Sequence, residues 1–152
     1  MKLDNFDFDP IEDIIIKAMN LEWDLHSFPE FKGYYFDVQK RIFSIEWEIP
    51  ENTSETNPWG CLDNHADGCR IHFKDVHFLS INYQPQGNST KEDSLVMSGI
   101  SKVDPFVTEG RMKLKWGDEE FNILISFQDE STLEIGAKSA YLEAVKRIKG
   151  KK

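Results

Sequence analysis

Long apolar runs are missing from this sequence. No stretch approaches the roughly 20 consecutive apolar residues that a membrane helix requires, so a membrane partner is not expected. The first residues carry Asp4, Asp7, Asp9, Glu12 and Asp13 around the short run Ile14 to Ile16, where a leader would have a basic start and a hydrophobic core, and this points to a cytoplasmic protein. Cysteine is scarce too. Cys61 and Cys69 are the only two, too few for a disulfide scaffold, and in a reducing compartment both are expected as free thiols. The nine glycines stand singly, which leaves no glycine-rich phosphate loop and disfavours the common nucleotide enzymes. Positive charge is also in deficit: 18 Lys and Arg against 27 Asp and Glu leave −9 at neutral pH. Polyanion affinity rests on Lys and Arg neutralising phosphates, so nucleic acid is not an expected partner.

What the chain does have is aromatic mass. Eleven Phe, four Trp and four Tyr in 152 residues are incompatible with disorder, and a chain of this length buries enough surface to hold a core without metal or disulfide staples. A single domain over 1–152 is expected, since no linker or repeat divides the chain.

Hydrophobic period then assigns elements. Asp9-Pro10 followed by Ile11, Ile14, Ile15 and Met19 has the order of an N-cap, a proline at the first helical position and an apolar stripe, predicting a helix from Pro10 to Asn20. Leu21 to Gly33 reads as an irregular crossing. From Tyr34 the period is two: Tyr34, Phe36 and Val38 share a face, and after a turn near Gln39-Lys40 so do Phe43, Ile45, Trp47 and Ile49, with Ser44, Glu46 and Glu48 opposite. Cys69 to Tyr83 reads as two strand pieces with a bend at Lys74-Asp75. Ser94 to Val103 and Arg111 to Trp116 read as strands, and Phe121 to Phe127, a turn at Gln128 to Ser131, then Leu133 and Ile135 make a meander. Ser139 to Lys149, with Tyr141, Leu142, Val145 and Ile148 on one face, predicts a terminal helix whose last turn carries cations. The expected fold class is α+β: a mostly antiparallel sheet of about seven or eight strands, sandwich-like or a partly open barrel, with an N-terminal and a C-terminal helix.

Chemistry-bearing residues cluster in one place. Cys61, Asp63, His65, Asp67, Cys69 and His72 offer zinc-type ligands, but the spacing Cys-x3-His-x3-Cys-x2-His matches no finger or ribbon. If Cys69 and His72 share a strand, their odd separation puts them on opposite faces. No metal and no cofactor is therefore expected. His26, His65, His72 and His77 are scattered, and no Gly-x-Ser-x-Gly elbow or thiol-protease surrounding occurs, so no catalytic residue is assigned and the chain is not expected to be an enzyme. Charge falls as −6, −4 and +1 over residues 1–50, 51–100 and 101–152, the last third being masked by terminal lysines and one arginine. An acidic body of this kind either solubilises the protein or steers a basic partner.

Three stretches together, Arg41 to Ile49 (RIFSIEWEI), Ile71 to Ile81 (IHFKDVHFLSI) and Ile123 to Ile135 (ILISFQDESTLEI), resemble small β-rich bacterial domains of the toxin-immunity kind. The resemblance spans Arg41 to Ala137 and supplies no catalytic residues. It implies a non-enzymatic cytosolic binding protein that neutralises a basic toxin. Trp59, Asp63 and Asp67 on the long polar connection, with Glu46 and Glu48 nearby, would face that partner. The alternative is a barrel-like domain that binds or transforms a small molecule in an interior cavity. A homodimer joined through a sheet edge or face is a third arrangement.

Overall fold

The computed structural model describes residues 1–9, 15–26, 29–50, 66–82, 97–102, 123–128 and 130–146. Among them the chain is all-β, with twelve strands in three sheets and no helix. The α+β expectation is therefore corrected, and so is the strand number.

Where their residues are described, both expected helices fall on strands; residues 147–149 of the terminal one lie outside the described set. The terminal segment is β12 (Ser139–Val145): Ala140 and Leu142, two residues apart, are buried, and the strand sits between β1 (Lys2–Leu3) and β7 (Gly68–Lys74). Its apolar residues fit a helical stripe and an alternating strand equally well, and having a partner strand on each side decides for the strand. At the other end, Ile15–Ala18 forms β3 with Ile16 and Ala18 buried at period two. Met19 and Asn20 have φ of 54° and 61°, the two left-handed residues of a tight hairpin turn leading to β4 (Leu21–Asp24). A helix through Asn20 is incompatible with that turn; residues 10–14 lie outside the described set. The segment read as an irregular crossing thus contains β4 and the start of β5 (Glu30–Asp37).

The period-two readings in the middle of the chain stand. β5 and β6 (Ile42–Glu48) form the expected hairpin, with Asp37 opposite Ile42. A bulge between Phe31 and Gly33, with Gly33 at φ 130°, interrupts the edge strand beside Lys32, a device that discourages edge-to-edge association. The bend at Lys74-Asp75 is a corner at which the chain changes sheet, with Asp75 at φ 51°. β7 belongs to the five-stranded sheet β1-β12-β7-β6-β5, and β8 (Phe78–Asn82) to the four-stranded sheet β8-β11-β10-β9. In the latter, β9 (Met97–Lys102), β10 (Ile123–Phe127) and β11 (Thr132–Gly136) pair antiparallel, the Phe127–Ser131 turn closing on Glu130 at φ 68°. The strand expected over 111–116 lies outside the described residues. The third sheet is β2 (Phe6–Phe8), β3 and β4. The pairing is mostly antiparallel, as expected, with β1 running parallel to β12. The Asn5 amide continues that pairing by donating to Leu142 O and accepting from Leu142 N, each at 2.8 Å.

All three sheets feed one buried cluster. Phe43, Ile45 and Trp47 of β6, Ile71 and Phe73 of β7, Ile123 and Ile125 of β10, Ile135 of β11, Ile16 and Trp23 are fully inaccessible. Phe31 meets Phe127 at 5.0 Å between ring centres, which brings the five-stranded and four-stranded sheets face to face. The arrangement is sandwich-like, with the interior filled by aliphatic and aromatic side chains.

Two features of this core yield measurable consequences. Trp23 Nε1 donates to Ala18 O at 3.1 Å, whereas buried Trp47 Nε1 finds no acceptor among the described residues. Trp23→Phe is expected to cost about 1 kcal/mol more than Trp47→Phe in denaturant unfolding, because only the first removes a made hydrogen bond. A β-carbon on Gly68 would lie 2.5 Å from Trp47 O and 3.3 Å from Glu48 Cα. Gly68→Ala is expected to lower stability by about 1–3 kcal/mol by forcing β7 off β6, measured the same way.

Candidate functional site

The outer face of the five-stranded sheet follows from the same alternation that fills the core. With Phe43, Ile45 and Trp47 turned inward, Ser44, Glu46 and Glu48 must point out, and β7 likewise presents Arg70, His72 and Lys74, β12 Tyr141 and Glu143. Register then aligns these side chains in two rows across four strands. Tyr35, Ser44, His72 and Tyr141 are consecutive partners in one row, and Gly33, Glu46, Arg70 and Glu143 in the next. An open groove of about 540 Å³ runs over all of them but Glu143, bordered by Tyr34, Tyr35 and Tyr141.

The polar atoms of the rows are linked. Ser44 Oγ lies 2.8 Å from His72 Nδ1, and His72 Nε2 lies 2.7 Å from Glu143 Oε2. A carboxylate only accepts, so Nε2 carries the hydrogen; in the neutral ring Nδ1 is then the acceptor for the Ser44 hydroxyl. The imidazole stacks on Tyr141 at 4.6 Å and 19°, and Lys74 Nζ sits 4.4 Å from the centre of the same phenol ring. Arg70 donates to Glu46 Oε2 from Nη2 at 2.6 Å and from Nε at 3.0 Å, and its Nη1 is 3.8 Å from Glu143. The His72 side chain keeps 12% of its surface exposed, against 49% for Glu143, so the ring is held on three sides while the carboxylate stays wet.

The charges along the groove are paired, with no excess of acid, where an acidic surface was expected. Three cations, Lys32, Lys40 and Arg70, and two carboxylates, Asp37 and Glu46, line it, and they are paired: Lys40 with Asp37 at 3.5 Å, and Lys32 with Glu48 at 3.5 Å. The backbone N–H of Lys40 donates to Asp37 Oδ1 at 3.0 Å, and this bond is the largest of the causes that hold the Asp37 carboxyl below the ordinary aspartate range. Asp37 also closes the β5–β6 turn, which Arg41 ties to the sheet-changing corner by donating from Nε and Nη2 to Val76 O at 3.3 and 3.2 Å.

Of the residues expected to face a partner, Glu46 and Glu48 lie on this outer face, each engaged by a cation. Asp67 binds through its backbone, donating to Val145 O at 2.9 Å and accepting from Ile49 N at 2.8 Å. Trp59 and Asp63 lie outside the described residues, as do Cys61 and His65. Cys69 and His72 do occupy opposite faces of β7, Cys69 fully buried under Trp47 and His72 in the outer row, so one ion cannot bridge them. Among the described residues no group of three or more His, Cys, Asp or Glu is placed to hold a metal. Likewise, no helix of these residues is long and apolar enough to cross a membrane. Ser44, Arg70, Tyr141 and Glu143 were not singled out from sequence; the signal available was polar residues at every second position on three strands, and it is hidden when β12 is read as a helix. No family model, curated protein or solved structure matches the chain.

Burial raises the Cys69 thiol pKa, with Glu46 adding to the effect, so the reactive thiolate is suppressed. Cys69 is expected to resist iodoacetamide in the folded protein at pH 8 and to react at once in denaturant, as read by peptide mass spectrometry. Alkylation of folded Cys69 at the denatured rate would show that β7 opens.

Proposed function

We propose that the chain is a protein-binding domain of the immunity kind, which meets a basic partner at the outer face of the five-stranded sheet. The observation that carries this is the groove itself, a concave strip with tyrosines on its border and the hydrogen-bonded Arg70–Glu46 pair on its floor. Tyrosine and arginine are the residues that interfaces concentrate, because each offers large contact area with a polar tip. Tyr34 and Tyr35 are 51% and 68% exposed and Val38 is 71% exposed, so an apolar margin is available beside the polar floor.

Steering and docking are assigned to different parts of the molecule. The −9 net charge attracts a cationic protein from a distance, while the groove, its charges paired, supplies contact. Glu46 and Glu48 are then local hydrogen-bond acceptors held by Arg70 and Lys32, rather than free acids awaiting a basic residue. A cytoplasmic setting accords with the two-cysteine content. The interior-cavity alternative has less behind it, since the inward side chains of β6, β7 and β10 fill the space between sheets.

The test is binding to the basic product of an adjacent gene, co-expressed and purified, with rates read by surface plasmon resonance. Raising salt from about 50 to 500 mM is expected to slow association by tenfold or more and to change dissociation little. Tyr35→Ala is expected to weaken affinity by about tenfold through faster dissociation. An association indifferent to salt and to Tyr35 would overturn the proposal.

A further inference from the structure

We infer that Ser44, His72 and Glu143 form a hydrolytic relay in the same groove, with Ser44 as nucleophile toward a small, uncharged carboxylic ester. This goes beyond docking and does not depend on it. A serine hydroxyl becomes a useful nucleophile when a neutral imidazole accepts its proton and a third group fixes the tautomer of that imidazole. The geometry for this is present here: Ser44 Oγ lies 2.8 Å from Nδ1, Glu143 Oε2 lies 2.7 Å from Nε2, and the ring is clamped by stacking on Tyr141. Relative to the familiar serine-hydrolase relay, the two ring nitrogens exchange roles, which leaves the proton bookkeeping unchanged.

The rest of the groove suits the chemistry. Ser44, His72 and Arg70 all line it, together with Tyr34, Tyr35 and Ile42, so an acyl group has apolar surface to rest on. The backbone N–H groups of β6 and β7 are committed to ladders on both sides, so developing negative charge on the substrate oxygen must be met by a side chain. Arg70, in the adjacent row of the groove, is assigned this role: Nε and Nη2 hold Glu46, whereas Nη1, at 3.8 Å from Glu143, is beyond hydrogen-bond reach of it.

In the first step the Oγ–C bond forms as the hydroxyl proton passes to His72 Nδ1. The tetrahedral adduct then expels the alcohol, which takes that proton from Nδ1. Water attacks the acyl-serine, gives a proton to Nδ1, and the acid leaves as Ser44 recovers its own. Net, one ester and one water give one acid and one alcohol. Glu143 touches no reacting atom and acts as a positioning residue.

Two measurements on the full chain decide the matter. A fluorophosphonate probe should phosphonylate Ser44, the Oγ–P bond forming as fluoride departs, and peptide mass spectrometry of the wild-type protein maps the adduct without any variant. Hydrolysis of p-nitrophenyl acetate and butyrate should fall to background in Ser44→Ala and by about 10²-fold or more in His72→Gln. Glu143→Gln should lower the rate by about tenfold and displace its pH profile, a change that loss of sheet stability would not produce. Labelling of Ser44 and ester hydrolysis are read without any partner, whereas the docking measurement needs no esterase activity, so the relay and partner docking can fail separately. Absence of an adduct on Ser44, or full esterase activity in a folded Ser44→Ala protein, would overturn the inference.

Discussion

Register among β6, β7 and β12 is the constraint from which the remainder follows. Side chains alternate with period two, so one residue of slippage would drive Ser44 and His72 into the core and expose Phe43, Ile45 and Phe73. Each large apolar side chain fully buried contributes about 1.5–3 kcal/mol, and Phe43, Ile45, Trp47, Ile71 and Phe73 are all inaccessible. The charge pairs on the other face are a third to a half exposed, a class whose members contribute at most about 1 kcal/mol each. Burial on the inner face therefore sets the register, and the outer rows are its consequence. Ser44 meets His72 because Ile45 meets Ile71 on the opposite side of the sheet.

Chain order adds a second dependence. Glu143 is contributed by the last described strand, 71 residues beyond His72, and that strand is inserted between β7 and the N-terminal β1. The relay and the acid–Arg70–acid row are thus complete only when both ends of the described chain have reached the five-stranded sheet. Asn5 strengthens this closure by imitating a peptide group against Leu142. Pairings between such distant segments incur large loop-closure entropy before any contact forms, which places them late in assembly. The outer face is accordingly a property of the finished fold, whereas the β5–β6 hairpin can form from neighbouring residues.

That difference explains what was legible in the sequence. Phe43, Ile45, Trp47 and Ile49 alternate over a run long enough to exclude a helix, and their inward placement, with Ser44, Glu46 and Glu48 outward, is as read. The opposite faces of Cys69 and His72 also follow from strand parity alone. Ser139–Val145 is different: Ala140, Leu142 and Ala144 are consistent with a strand, Tyr141, Leu142 and Val145 with a helix, and only the presence of β7 and β1 on either side resolves the two. With β12 misassigned, Glu143 had no neighbour and His72 no carboxylate. The pairing of Glu46 with Arg70 was hidden for a related reason, since cross-strand neighbours depend on strand order and sequence spacing does not reveal that order.

The distribution of charge separates what the whole molecule does from what the groove does. A chain at −9 whose outer-face groove is lined by three cations and two carboxylates keeps its excess acid elsewhere. Covering isolated carboxylates with a partner would strip their hydration at a cost of several kcal/mol per charge. Carboxylates already hydrogen-bonded to Arg70, as Glu46 is, or to His72, as Glu143 is, lose less on being covered, because part of their hydration has been replaced within the protein. The groove is therefore easier to desolvate than the rest of this acidic surface, and the pairing of its charges is what makes it so.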